Sequence, residues 1–143
     1  MAIKESSFDI AQTQQTIEVA HALPQPIGVL TGSDTFIFEA LMMGCDGALI
    51  GFAGTATADL VAMHDAVRRG DVAAGQAIWA RLGPIARYCW RPPIRDFQPR
   101  MKEVLRLQGL IASAACREPQ LGIGAEERQV LARLCAQAGL LAA

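Results

Sequence analysis

Residues 27–51, IGVLTGSDTFIFEALMMGCDGALIG, decide the fold of this chain. An apolar run at residues 27–31 is followed by a turn at residues 32–34, which also supplies a helix N-cap. A helix at residues 35–43 stops at Gly44, and a second apolar run follows at residues 47–50. Two continuous apolar runs joined by a helix predict two parallel strands that are buried on both faces. Because α/β folds usually bind ligands where such strands end, we expect a site near Gly32-Ser33-Asp34.

The rest of the chain extends this strand-helix-strand unit on both sides. Residues 2–5 (AIKE) predict the end of another strand, which presents Lys4 at the edge where barrel folds carry their functional side chains. Asp9 is positioned to cap the helix that follows. Apolar spacing and stop residues predict helices at residues 10–21, 57–69, 72–89, 98–108 and 125–138.

Two and a half parallel strands do not close a sheet by themselves. A complete (β/α)8 barrel typically takes about 250 residues, whereas this chain has 143. Open strand edges invite pairing with other chains. The chain is therefore expected to be a fragment, or to pair with another copy or with another polypeptide.

Composition and charge exclude several classes of function. The formal net charge is −1, with 13 basic and 14 acidic residues intermixed, and without a basic patch no nucleic-acid partner is expected. No uncharged stretch, residues 47–58 included, is long enough to cross a bilayer, so we predict no membrane segment. The first residues lack the apolar core of a signal peptide, and we expect a cytoplasmic protein.

The residue types that bind metals are scattered along the chain. No two cysteines have a CxxC spacing, and the two histidines lie far apart: Cys45, Cys89, Cys116, Cys135, His21 and His64. Because a zinc site needs clustered ligands, we predict no metal. We expect the cysteines to be reduced and mostly buried thiols.

Lys4 is the principal candidate for chemistry. A lysine amine attacks a carbonyl only when it is deprotonated, which requires desolvation or a neighbouring cation. A strand end inside the mouth of a barrel supplies desolvation. On the residues alone, a solvated lysine near the N-terminus is the more common alternative.

The surroundings of Lys4 resemble a known family. Ile3-Lys4-Glu5-Ser6-Ser7-x-Asp9 is similar to the I-K-E-x-[ST]-G-D stretch of the dihydrodipicolinate synthase and N-acetylneuraminate lyase family. Further similar motifs follow in family order along essentially the whole chain: Leu30-Thr31-Gly32-Ser33-Asp34, Gly44-Cys45-Asp46-Gly47-Ala48-Leu49-Ile50-Gly51, Arg69-Gly70-Asp71, Met101-Lys102-Glu103-Val104-Leu105, Arg117-x-Pro119 and Ala138-Gly139-Leu140-Leu141. The resemblance implies an α/β fold: the last two to three βα units of a TIM (β/α)8 barrel in residues 1–70, followed by a three-helix C-terminal extension in residues 71–143.

The resemblance also implies lyase chemistry of the class I aldolase type. In the family, a lysine on the sixth barrel strand forms an imine with pyruvate or a related 2-oxo acid, an aldehyde is the other substrate, and neither a metal nor an organic cofactor is used. That lysine matches Lys4, while Gly32 and Leu49 match positions that line the pyruvate pocket. Ser6 and Ser7 can donate hydrogen bonds near the imine, although helix capping is their favoured role. Family members are usually homotetramers, so a homo-oligomer is expected.

The chain departs from the family pattern in ways that affect activity. Phe8 stands where the family commonly has glycine, which changes the loop after the lysine strand. The arginines of residues 88–100 suit either an anionic substrate group or, as the favoured interpretation, a solvated and structurally stiff connection.

The family's paired threonines and its proton-relaying tyrosine have no counterpart in this chain. Positioning and proton transfer are each worth orders of magnitude in rate, so the isolated chain is predicted to be inactive. The alternative is a non-catalytic half-barrel that dimerises or docks on a separate N-terminal chain.

Overall fold

The computed structural model describes residues 1–141 as an α/β structure. A parallel sheet in the order β1-β2-β3 contains the strands Ala2–Glu5, Gly28–Thr31 and Gly47–Ala48. The helices α1 to α6 of these residues are Ile10–His21, Ile37–Met43, Thr57–Arg68, Val72–Cys89, Phe97–Leu107 and Ala125–Gln137. The predicted order of strands and helices is confirmed. Of the helices in this part of the chain, none has the length and apolar character that a membrane crossing requires.

The register of the sheet aligns Lys4 with the two other strands. Lys4 pairs with Leu30, and Leu30 pairs with Gly47. Successive side chains of a strand point to opposite faces. Glu5 points toward α1, because its carboxylate accepts a hydrogen bond from the Thr13 hydroxyl at 2.6 Å. Lys4 therefore lies on the face of the sheet that is turned away from α1.

The chain forms two compact units, each with its own core. One unit comprises residues Met1–Trp79, the other begins at Ala80, and α4 contributes residues to both. The largest fully buried apolar side chains are Val29, Ile37, Phe52 and Met63 in the first unit and Leu82, Ile85, Val104 and Leu131 in the second. The domain division predicted from the sequence, residues 1–70 and 71–143, stays a prediction.

The start of α2 differs from the prediction because Asp34 does not cap it. The helix begins at Ile37, and its N-cap residue, Phe36, provides no side-chain hydrogen bond. The Asp34 carboxylate instead accepts a hydrogen bond from the backbone N–H of Phe52 at 2.7 Å. At the other end the predicted stop is confirmed, because Gly44 adopts the left-handed conformation (φ 112°) that glycine tolerates best.

The third strand is shorter than predicted. β3 contains only two residues, since the chain turns after Ile50 into a 3-10 segment, Gly51–Thr55. The backbone nevertheless stays beside β2 for one more position, where the Leu49 N–H donates to the Thr31 carbonyl at 2.8 Å. Asp9 caps α1 as predicted, accepting from the Gln12 N–H at 2.9 Å.

Candidate active site

Lys4 lies where the carboxyl ends of β1 and β2 meet. Gly32 follows β2 directly, and its N–H donates to the Glu5 carbonyl at 2.5 Å. A Cβ atom at position 32 would lie 2.5 Å from Lys4 Cε and 2.8 Å from the Glu5 carbonyl oxygen, and it would collide with the Ser6 hydroxyl. Glycine at this position therefore leaves the space that the lysine side chain occupies.

The Lys4 side chain is accessible and lies near a buried carboxylate, that of Asp34. The Lys4 side chain is exposed, and no carboxylate of residues 1–141 forms an ion pair with it. Asp34 is only 4% exposed. Burial raises the pKa of its carboxyl, opposed by the hydrogen bond from Phe52 and by the positive charge of Lys4. The desolvation predicted for Lys4 is therefore not found in residues 1–141, since the side chain is exposed. A primary amine adds to a carbonyl compound in its neutral form.

Glu5 supports the lysine strand from the other face of the sheet. Its side chain is 6% exposed, and its two carboxylate oxygens accept from the Ser7 N–H and from the Thr13 hydroxyl, each at 2.6 Å. Burial acts to raise the pKa of Glu5, but the hydrogen bonds from Ser7 and Thr13 outweigh it and the pKa is lowered. Sequence reasoning missed this role. The alternation of Lys4 and Glu5 along a strand, with a threonine one turn into α1, is the signal that predicts it.

Leu49 lies at the end of the neighbouring strand. It comes directly after Ala48, which pairs with Thr31, so position 49 is adjacent to Gly32 across the sheet. Its side chain is 55% exposed. The structure thus brings Lys4 and Gly32 into contact, and it puts Leu49 on the next strand at the same edge.

The loop after β1 is ordered by its own polar groups. The favoured capping role of Ser6 and Ser7 is wrong, because Asp9 is the N-cap of α1. Ser7 instead supports the cap, its hydroxyl accepting from the Asp9 N–H at 3.1 Å. Phe8 has a φ of 58° and is the one non-glycine residue of the described chain in the left-handed region.

Apolar grooves flank the sheet on both sides. One of about 360 Å³ lies beside β1 and includes Ile3, Val19 and Leu23. Another, of about 300 Å³, lies beside β3 and includes Gly47 and Val61. Neither groove is lined by Lys4, so both belong to the strand edges rather than to the candidate site.

The arginine-rich segment is built around one buried guanidinium. Arg100 is 1% exposed. Its Nη1 donates to the carbonyls of Cys89 and Arg91 at 3.1 and 2.6 Å, with Pro93 at 3.4 Å, and its Nε donates to Glu127 at 3.0 Å. A guanidinium with its donors satisfied in this way is unavailable to a ligand, which agrees with the stiff connection favoured from the sequence. The prediction that this connection is solvated is wrong at Arg100, which is buried.

The other arginines of this segment also have protein partners. Arg91 donates to Glu127 at 2.7 Å and lies over the Tyr88 ring, 4.2 Å from its centroid. Burial acts to raise the pKa of Glu127, but the hydrogen bonds from Arg91 and Arg100 lower it overall. Arg95 is exposed and lies 3.6 Å from Asp96.

Thiols and metal ligands do not form a competing site in residues 1–141. All four cysteines are free, and three of them are buried. Burial raises the pKa of the Cys45 and Cys135 thiols to about 11, so these two are protonated and unreactive at neutral pH. No three His, Cys, Asp or Glu side chains of this range are grouped to hold a metal ion.

The family model and the curated relatives that match this chain point to the same family. Residues 1–138 match the model of the dihydrodipicolinate synthetase family. An uncharacterized DapA-like lyase of Thermofilum pendens is 27% identical over 128 residues, which are 89% of this chain and 42% of that protein. A 4-hydroxy-tetrahydrodipicolinate synthase of Clostridium acetobutylicum is 27% identical over 131 residues, 92% of this chain and 44% of that protein. The chain spans less than half the length of these relatives.

Solved structures show the same fold. A dihydrodipicolinate synthase from Thermotoga maritima matches 98% of this chain and 46% of its own with a TM-score of 0.84 and 23% identity. A prophage protein of the dihydrodipicolinic acid synthase family from E. coli, crystallised with pyruvate, matches 98% of this chain and 46% of its own with a TM-score of 0.82 and 24% identity. The three-stranded parallel sheet and its helices are therefore an arrangement found within these larger proteins.

Proposed function

Since the chain belongs to the dihydrodipicolinate synthetase family, we propose that it carries the imine-forming part of a class I aldolase or lyase. Lys4 adds through its neutral amine to the keto carbon of pyruvate or a related 2-oxo acid. The adduct loses water and becomes the Schiff base. The observation that supports this proposal best is the exposed Lys4 amine at the carboxyl end of a parallel strand, against a glycine that leaves it room.

Gly32 and Leu49 complete the proposed substrate pocket from this chain. A glycine beside the lysine lets the 2-oxo acid approach the backbone closely. Leu49, at the same edge of the sheet, forms an apolar wall next to it. No cofactor is needed in this scheme, because the protonated imine formed on Lys4 serves as the electron sink.

The chain corresponds in this proposal to the last two to three βα units of a TIM barrel, from the sixth strand onward, with the helical extension. The remaining units bind the carboxylate of the 2-oxo acid, relay protons and receive the aldehyde. The chain alone therefore forms the imine but does not complete turnover. The assembled enzyme is a homo-oligomer.

The alternative is a non-catalytic half-barrel that docks on a separate N-terminal chain or on a second copy. The apolar grooves beside β1 and β3 favour it, because both edges of the sheet have apolar surface ready to be covered. In that case Lys4 is either a relic, whose amine behaves as that of any other lysine, or half of a site shared with the docked chain.

Reductive trapping separates the two functions, and the chain contains its own control. Lys4 and Lys102 are its only lysines, and the Lys102 amine donates to the Ala115 carbonyl in the second unit. The chain is incubated with pyruvate and borohydride, and the adduct on each lysine is quantified by peptide mass spectrometry. Imine chemistry at Lys4 predicts at least a tenfold excess of adduct over Lys102, whereas equal labelling would overturn the assignment of Lys4.

A further inference from the structure

The function proposed above gives a role to Lys4, and one buried group behind it has no assigned role. Glu5 is the residue that follows Lys4, and strand alternation directs it to the opposite face of the sheet. It is almost fully buried, yet its carboxylate is not paired with a cation in residues 1–141. Both carboxylate oxygens instead accept hydrogen bonds from the protein, from Ser7 and from Thr13.

These bonds connect three segments that meet at the candidate site. The Ser7 N–H belongs to the loop after β1, and the Thr13 hydroxyl belongs to α1. The backbone carbonyl of Glu5 accepts from Gly32, which belongs to the end of β2. A single residue therefore fixes the loop, the helix and the neighbouring strand around Lys4.

Other contacts make this anchoring stiff. Thr13 is fully buried, and its Oγ1 lies 2.8 Å from the carbonyl of Asp9, the N-cap residue of α1. Ser6, between Glu5 and Ser7, lies beside Gly32, where its hydroxyl is close to the Lys4 side chain. A shift of the Glu5 carboxylate is thus transmitted to the loop after β1 and to the end of β2 at Gly32, the two backbone segments beside Lys4.

We infer that Glu5 is a positioning residue for Lys4. Its carboxylate holds the end of β1 so that the Lys4 amine stays beside Gly32, and it does so through geometry rather than through its charge. Glu5 does not touch the 2-oxo acid, because it points away from the face on which Lys4 lies. This inference rests on the proposed imine chemistry of Lys4.

Three substitutions distinguish geometry from charge. Glu5→Gln keeps the shape and removes the charge: its amide oxygen accepts from Ser7, and its amide nitrogen donates to the Thr13 oxygen, whose proton then turns to the Asp9 carbonyl. Glu5→Ala removes both hydrogen bonds, and Thr13→Val removes one of them with little change in volume. Glu18→Ala, at an exposed position of α1, is the matched control.

The readout is the ratio of pyruvate adduct on Lys4 to that on Lys102, measured from pH 6 to 9 in protein that retains its far-UV circular dichroism. We expect Glu5→Ala to lower this ratio about tenfold and Thr13→Val to lower it about threefold. Glu5→Gln and Glu18→Ala should stay within twofold of the unaltered chain, with the same pH profile. A residue with a merely structural role would lower the unfolding temperature and leave the ratio unchanged.

Each remaining outcome decides one claim. A preserved ratio in Glu5→Ala, or a shifted pH profile in Glu5→Gln, would overturn positioning through geometry while leaving the imine chemistry intact. If the unaltered chain shows no preference for Lys4, the proposed function fails. Hydrogen exchange of the Ser7 and Gly32 amides then decides whether Glu5 fixes the strand end: protection lost in Glu5→Ala and kept in Glu5→Gln supports it, and unchanged protection overturns it.

Discussion

Lys4 and Arg100 are both basic residues in ordered surroundings, and the structure treats them in opposite ways. The Arg100 guanidinium is 1% exposed and donates to backbone carbonyls and to Glu127. The Lys4 side chain is exposed, and the strand that carries it is held by a backbone hydrogen bond from Gly32 to the carbonyl of the next residue, Glu5. A cation whose donors are used by the protein builds structure. An amine that is positioned but left accessible is available for chemistry in its neutral form.

The strongest test of this contrast removes the Lys4 amine. In Lys4→Arg the charge is kept, but a guanidinium stays protonated and does not form an imine under these conditions. We expect selective capture of pyruvate to disappear completely, as measured by borohydride trapping and peptide mass spectrometry. Lys102→Arg is the matched control and should leave the adduct on position 4 unchanged. An adduct of the same yield elsewhere in Lys4→Arg would contradict the assignment.

The next largest effect is expected at Arg100, on stability. Arg100→Met removes the hydrogen bonds that Arg100 donates to the carbonyls of Cys89 and Arg91 and takes one partner from Glu127, which should cost about 3 kcal/mol of unfolding free energy. Urea denaturation followed by circular dichroism measures it. Arg95→Met, at a side chain that is 81% exposed, should change the stability by no more than about 0.5 kcal/mol. Equal effects at the two positions would show that Arg100 is not the organising residue.

A smaller effect is expected at Phe8, which joins the lysine strand to α1. Because a left-handed φ costs a non-glycine residue about 1 kcal/mol, Phe8→Gly should be more stable than Phe8→Ala by roughly that amount. The comparison of the two variants cancels the loss of the aromatic side chain. A thermal melt in which Phe8→Ala unfolds at the same temperature as Phe8→Gly, or above it, would speak against strain at this residue.

The smallest effect concerns acid stability. The Asp46 carboxylate accepts from the Val29 N–H at 2.7 Å and contacts His21 Nε2 at 2.9 Å, and these groups lower its pKa. A lowered pKa in the folded state contributes stability that is present above the ordinary value near 3.8 and is lost as the pH falls through the folded value. The stability difference between the unaltered chain and Asp46→Asn should therefore shrink below pH 4. A difference that stays constant from pH 7 to pH 3 would disprove this linkage.

The sequence predicted the elements well where local signals were strong. α1 and α4 have the predicted bounds. Asp9 caps α1, and Gly70 with Asp71 separates α4 from α3. The start of α2 was wrong, because the Asp34 carboxylate bonds to Phe52, a residue 18 positions away. Such a long-range competitor for a capping side chain leaves no local signal.

The candidate site was predictable in part. Lys4 and Gly32 were found from their motifs, and the parallel register that brings them together follows from the order of strand, helix and strand. The anchoring by Glu5 was missed because it depends on the direction of one side chain toward Thr13. The roles of Lys4, Gly32 and Leu49 in catalysis stay predictions.

The close contacts of Gly32 also limit which residues position 32 can accept. One added carbon at that position would lie 2.8 Å from a backbone oxygen, which cannot rotate out of the way as a flexible side chain does. A library with every amino acid at residue 32, selected for function, should therefore recover glycine almost alone. The inactive variants of this library would all still contain Lys4. Alanine at this position offers a way to silence the molecule without removing its reactive group.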